Sequence, residues 1–131
     1  MVYLSIHFRY QFFFSDQPEI ITHPKNVTVE EGLPMTLFCN ATGNPPPTIS
    51  WTKDGSPLNN NQGILFSGDN ETLSIASINR SESGNYRCVA RNGLGNDSSN
   101  PAKVDVQCKC SGNSFLFYLI WKEKFCTVNR I

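Results

Sequence analysis

The sequence predicts an all-β fold in which two sheets pack face to face, and three observations carry that reading. Large apolar residues recur at every second position in several short runs. These are Met35, Leu37 and Cys39, then Ile49 and Trp51, then Leu73 and Ile75, then Tyr86, Cys88 and Ala90, then Val104 and Val106. A strand turns successive side chains to opposite faces, so each run puts its apolar residues on one face. Turn-forming residues separate the runs, and nothing between residues 18 and 107 sustains a helical period. Two of the faces carry cysteines and one carries an indole. Closed on one another they form a core around Trp51, Tyr86, Leu37, Leu73 and Ile75.

Residues 1–17 form an N-terminal segment ahead of the domain. A secretory signal needs an uninterrupted apolar centre followed by a small-residue cleavage site. His7, Arg9, Tyr10 and Gln11 interrupt the run here and no such site follows, so the segment is a poor signal-peptide candidate and 15–18 reads as a linker. A first strand starts at Glu19 and runs to Thr22. His23-Pro24 interrupts it, since proline donates nothing to a ladder and suits an edge or a switch between sheets. Val27 and Val29 continue it, and Glu30-Glu31-Gly32 turns the chain. A second strand covers 34–41. Asn44-Pro45-Pro46-Pro47 is a stiff loop, read as the lead into the tryptophan strand rather than as a proline-rich ligand. That strand spans 48–53 and ends at the turn signal Asp54-Gly55-Ser56-Pro57. Asn59-Asn60-Asn61 is a loop and 64–66 a weak strand. Leu73 and Ile75 mark the next strand, with Ile78 packing below it. The run 85–91 and the pair Val104 and Val106 supply the last two strands.

Glu82, Gly84, Tyr86 and Cys88 read as acid-x-Gly-x-Tyr-x-Cys. With Cys39 and Trp51 they resemble the immunoglobulin domain, which has Cys…Trp…Cys spacing and a tyrosine two residues before its second cysteine. Gly43, Pro45, Pro47, Ile49 and Trp51 resemble the G-x-P-x-P-x-I-x-W run of the intermediate (I-set) type, and Arg91-Asn92-Gly93-Leu94-Gly95 its turn between the last two strands. The resemblance covers 18–107. One departure is Glu82, where the family usually has aspartate, so the corner is expected to be tied down differently. The resemblance implies an antiparallel Greek-key sandwich with an inter-sheet Cys39–Cys88 disulfide beside Trp51. It implies one sheet from the strands at 48–53, 85–91 and 103–106, and a second from those at 19–29, 34–41, 64–66 and 73–75. Closing a loop of this length stabilises by about 4 kcal/mol in the chain-entropy model, and such a bond persists in oxidising compartments.

The remaining cysteines, Cys108, Cys110 and Cys126, fall in a tail at 108–131. Composition changes there. Six Lys and Arg oppose nine Asp and Glu over 18–107, whereas four oppose one over 108–131. The tail is therefore read as outside the fold. It holds a seven-residue apolar run from Phe115 to Trp121, far short of the roughly 20 residues a membrane-spanning helix needs. A C-x-C pair with one distant thiolate lacks the ligand count and spacing of a zinc site, so no metal is expected. A formal net charge of zero argues against nucleic acid. His7 and His23 sit in no nucleophile or zinc motif, and Asp54 and Glu82 both lie in turns. No catalysis, cofactor or small-molecule substrate is expected.

Five triplets fit the N-glycosylation acceptor pattern, at Asn26, Asn40, Asn70, Asn79 and Asn96. On the family topology Asn26, Asn40, Asn70 and Asn79 lie with the second sheet, and Asn96 in a loop between the last two strands. Sugar is then expected to shield that sheet and leave the other bare. Alternation places Ser50, Thr52, Arg87, Val89, Arg91, Lys103 and Asp105 on the bare face, a locally positive patch in an acidic domain. The expected role is an extracellular protein-binding module of a cell-surface adhesion or recognition protein, whose partner can be another immunoglobulin-like domain. The alternatives are the ectodomain of a receptor tyrosine kinase or similar receptor and an intracellular muscle-type structural domain.

Overall fold

The computed structural model describes residues 15–60 and 63–108. The segment 1–14 and the tail from 109, with Cys110, Cys126 and the apolar run, lie outside the described residues. The strands are β1 (Asp16–Thr22), β2 (Val27–Glu30), β3 (Met35–Phe38), β4 (Asn40–Asn44), β5 (Thr48–Lys53) and β6 (Ser56–Pro57). They continue with β7 (Ile64–Phe66), β8 (Thr72–Ile75), β9 (Gly84–Asn92), β10 (Gly95–Ser98) and β11 (Ala102–Gln107). One sheet runs β2-β11-β9-β5-β6, with β10 also paired to β9. A second runs β3-β8-β7, and β1 pairs with β4.

The core forms where the alternating runs meet. Trp51 lies directly across from Cys88 in the β5–β9 register, and the Cys39–Cys88 disulfide joins the two sheets with a Cα–Cα separation of 6.5 Å. Leu37, Leu73, Ile75, Ile78 and Tyr86 are all buried in the same cluster. The Trp51 indole, buried with its one donor, gives that proton to the Asn70 carbonyl at 2.7 Å. Asn70 accepts it from a left-handed backbone, φ 61°, a conformation asparagine adopts more readily than most residues. A polar atom in the core is thereby satisfied by a turn of the opposite sheet.

The first strand divides between the sheets. After Pro24, β2 leaves β1 and pairs with β11 in parallel, Val27 opposite Val104 and Val29 opposite Val106. Side chains at the break hold it there: Asn26 Oδ1 accepts from Lys103 N at 2.8 Å and His23 Nδ1 from Asn100 N at 3.1 Å. Among the described residues the sandwich thus contains one parallel pair among antiparallel ones, and the expected assignment of Val27 and Val29 to the other sheet is corrected. The residues expected to be a linker already pair, since Asp16 lies opposite Asn44 and its carbonyl accepts from Asn92 Nδ2 at 2.8 Å. An irregularity in register between Asp16 and Glu19 accommodates Pro18, which cannot donate to a ladder.

The second strand breaks at Cys39, whose amide donates to Glu71 O at 2.9 Å, and resumes as β4 against β1. The turn after β5 contains the short β6, and β10 forms where the sequence predicts a loop. Asn92-Gly93 is a strong hairpin signal, and Asn92 Oδ1 accepts from Leu94 N at 2.9 Å. The hairpin's returning strand carries only Gly, Asn, Asp and Ser, so no apolar alternation announced it.

The corner below Tyr86 is a 3-10 turn, Arg80–Glu82, with a capping box. Asn79 Oδ1 accepts from Ser81 N at 2.9 Å, and Glu82 Oε2 accepts from Asn79 N at 2.7 Å. Glutamate at the third position of such a box reaches back to the cap amide, which is how this corner is secured by Glu82. Tyr86 Oη donates to Glu82 O at 2.7 Å. Burial first, then the Glu82 and Asp54 charges, push the Tyr86 phenol up to about 12. Asp54 Oδ1 in turn accepts from Asn85 N at 2.9 Å. Asp54 and Glu82 therefore both hold turns. A Cβ at Gly84 would lie 2.6 Å from Asp54 Oδ2, so a side chain there would displace that carboxylate.

Candidate functional site

The outward face of the β5–β9 pair is built by alternation on two central strands. Buried Trp51, Tyr86, Cys88 and Ala90 hold one side of the strands in the core. The positions between them must point out. Register then sets three rows: Thr52 opposite Arg87, Ser50 opposite Val89, and Thr48 opposite Arg91. Each hydroxyl leans back to its partner's carbonyl. Ser50 Oγ donates to Val89 O at 3.4 Å, Thr52 Oγ1 to Arg87 O at 3.5 Å, and Thr48 Oγ1 to Arg91 O at 3.4 Å. These are long contacts that yield to a competing acceptor. Arg87 Nη1 donates to Ser99 O at 3.3 Å, which fixes its head near β10.

Of the seven residues expected on this face, the structure brings Ser50, Thr52, Arg87, Val89 and Arg91 together in adjacent rows. Lys103 falls in the next row beyond Arg87, and Asp105 lies further out, past the end of β9. β11 pairs only with the start of β9, Lys103 opposite Asn85, and Asp105 sits beyond it, opposite Thr28 of β2. At about 3.4 Å per residue, six residues of β9 separate the Lys103 row from Arg91, roughly 20 Å. Beside Val89 and Arg91 the neighbour is β10, with Ser98 opposite Val89 and Asn96 opposite Arg91.

That register corrects the expected placement of the acceptor triplets. Asn96 is on a strand of this sheet, exposed and in the Arg91 row, not in a loop. Asn26 is at the β2–β11 edge of the same sheet. Asn40 lies half-buried on β4 opposite Thr22, Asn70 in the β7–β8 turn, and Asn79 at the corner below the sheets. The five acceptors therefore do not leave the β5–β9 sheet bare. Paired residues of an antiparallel ladder share a face, so the register was needed to see this.

Two further surfaces matter. The outer face of β3-β8-β7 exposes Phe38 and Leu65, 46% and 63% accessible, functional candidates that alternation along their strands is enough to place outward. A groove beside β5, lined by Ile49, Ser50, Trp51, Leu58, Phe66 and Asn70 among others, carries no titratable side chain. Among the described residues no cluster of three or more His, Cys, Asp or Glu could hold a metal ion. Cys108, at the end of the described chain, is disulfide-bonded.

This constellation of paired sheets, inter-sheet disulfide, core indole and tyrosine corner is that of an immunoglobulin-like sandwich. The family model described as the immunoglobulin domain matches residues 17–92, more than half of the chain, and the chain belongs to that family. Neural cell adhesion molecule 1 of Bos taurus is 40% identical over 87 residues, covering 64% of this chain and 10% of that protein. Roundabout homolog 2 of Homo sapiens is 41% identical over 98 residues, covering 68% of this chain and 7% of that protein. The chain thus spans a tenth or less of these relatives. Among solved structures, the tandem Ig repeats of Dlar superpose with a TM-score of 0.68 at 27% identity, over 76% of this chain and 53% of that one. A chain of the titin M10–obscurin like 1 Ig complex gives 0.67 at 28% identity, over 73% and 99%. The chain is therefore an immunoglobulin domain homologous to domains of adhesion proteins and similar in structure to those of titin.

Proposed function

We propose that this domain, of the intermediate immunoglobulin type, is an extracellular protein-recognition module of a cell-surface adhesion or recognition protein, without catalysis of its own. Its contact is the β5–β9 face and its partner an acidic protein surface. The observation that carries this is the line of Arg87, Val89 and Arg91 on β9, bordered by Thr48, Ser50 and Thr52. Arginine around an apolar centre is favoured at interface hot spots, and here it stands in a domain whose 18–107 stretch has three more acids than bases. Two copies meeting face to face about a two-fold axis would set arginine against arginine. Like charges so placed are costly, which favours a partner other than the same face of a second copy. The homology to neural adhesion proteins, the acceptor triplets and the disulfide support the extracellular setting.

The Arg87→Glu/Arg91→Glu double variant should abolish capture of the partner, or cell aggregation, while the melting temperature stays nearly unchanged. Binding that survives this reversal but is lost when a new acceptor triplet puts sugar beside Phe38 would move the contact to the β3-β8-β7 face, whose exposed Phe38 and Leu65 favour that second reading. The likeness to titin favours an intracellular structural role as the competing setting. Endogenous protein that stays inside the cell and whose gel mobility does not shift on glycosidase treatment would support it.

A further inference from the structure

We propose that Asn96 is an N-glycosylation site whose sugar closes the Arg91 end of the β5–β9 face, so that the glycosylated and bare forms of the domain differ in what they can bind. The inference deepens the extracellular recognition reading and rests on it.

The triplet Asn96-Asp97-Ser98 lies along β10 with its two chemically necessary residues turned out. Asn96 and Ser98 are exposed, opposite Arg91 and Val89. Asp97 is turned the other way, and its carboxylate accepts from Ile20 N at 2.8 Å and from Ser98 N at 2.9 Å. The inward residue thus pins β10, and the acceptor amide cannot rotate to the far side of the sheet without breaking that bond. Across the sheet the row reads Asn96, Arg91, Thr48, and the next reads Ser98, Val89, Ser50. Directly opposed residues of an antiparallel pair have Cβ atoms about 4.5–5.5 Å apart. A glycan on Asn96 therefore starts one strand away from the Arg91 guanidinium and on the same side. N-linked sugar is bulky and hydrophilic, so it would cover Arg91 and Thr48 before it covered Arg87 and Thr52, two rows further on.

The step is an ordinary transfer. The Asn96 amide nitrogen bonds to the anomeric carbon of a lipid-linked oligosaccharide diphosphate and gives up one proton. The bond from that carbon to the diphosphate oxygen breaks, and the lipid diphosphate leaves with the electron pair. No oxidant or reductant is involved.

Other acceptors do not have this consequence. Asn70 and Asn79 lie at turns, Asn40 pairs with β1, and Asn26 is at the far edge of the sheet beyond β11. Only the Asn96 row contains an arginine of the proposed contact.

The test uses the whole chain secreted from eukaryotic cells, beside Asn96→Gln and Ser98→Ala, two independent ways to remove the acceptor. Peptide mass spectrometry reports whether Asn96 carries sugar. Labelling with an arginine-selective dicarbonyl reagent then reports the accessibility of each arginine. Arg91 should label severalfold more slowly in the glycosylated protein than in either variant, while Arg80 labels alike in all three. Capture on polyglutamate beads, the acidic probe, should rise in both variants. An unmodified Asn96, or equal Arg91 labelling with and without sugar, overturns the gate. Neither result touches the recognition face itself, which is judged by the Arg87→Glu/Arg91→Glu variant. If only one of the two acceptor variants changes labelling, a local distortion of β10 explains it and the gate also falls.

Discussion

The two outer faces of this sandwich are built by the same alternation but present opposite chemistry. On β5 and β9 the outward residues are hydroxyls and arginines around one valine, and each hydroxyl is loosely held by a neighbouring carbonyl. On β3, β8 and β7 they are Thr36, Phe38, Thr72, Ser74 and Leu65, with Thr36 and Ser74 in contact through their hydroxyls at 3.4 Å. Single exposed apolar residues are ordinary on protein surfaces, so Phe38 and Leu65 alone do not define an interface. A line of arginine set against the domain's acidic balance is less ordinary. The difference teaches that face chemistry, not the fold shared by both sheets, carries whatever specificity the domain has.

Three stability measurements probe that contrast, because a contact face should be separable from the core that both faces share. Trp51→Ala should have the largest effect, about 3–5 kcal/mol in denaturant unfolding, as a large-to-small core change. It removes the residue that spans the two sheets and leaves the Asn70 carbonyl without its donor. A loss below about 1 kcal/mol would mean the sheets hold together without the indole.

Tyr86→Phe should cost less, about 1 kcal/mol, through the lost bond to Glu82 O. Its effect should also depend on pH. The folded phenol ionises only near 12, against 10.0 for an ordinary tyrosine, so above pH 10 the unfolded chain releases a proton that the folded one keeps. Stability contributed by the retained proton is fully present below pH 10 and is lost as pH rises toward 12. The gap between wild type and Tyr86→Phe should narrow over that window in stability curves taken at successive pH values. A constant gap would show that Tyr86 ionises as easily folded as unfolded.

Phe38→Ser with Leu65→Thr should have the smallest effect, within about 0.5 kcal/mol, because neither side chain is enclosed. If the pair proves strongly destabilising, Phe38 and Leu65 belong to the core and the apolar face is not a free surface. If stability is kept and partner capture is lost, the contact lies on that face and the arginine face is its solvated counterpart.

Much of the fold was legible because alternation, turn residues and the tyrosine corner each depend on local chemistry. Met35, Leu37, Tyr86, Cys88, Val104 and Val106 could be assigned inward from their spacing alone, and all are buried. Within the candidate site, the same spacing put Ser50, Thr52, Arg87, Val89 and Arg91 outward. Their mutual distances were not legible, since these depend on which strand pairs with which and in what register.

What the sequence by itself determined, then, is the set of inward and outward side chains and the family they resemble, because side-chain phase is a property of each strand alone. Tertiary structure alone decided the pairings that cross the chain. It moved β2 to the β11 edge through Asn26 and His23, and folded a strand of Gly, Asn, Asp and Ser back onto β9. It also set Asn70 where its carbonyl meets the Trp51 indole. Each depends on hydrogen bonds between residues far apart in sequence, whose partners become defined only when the two sheets close on one another.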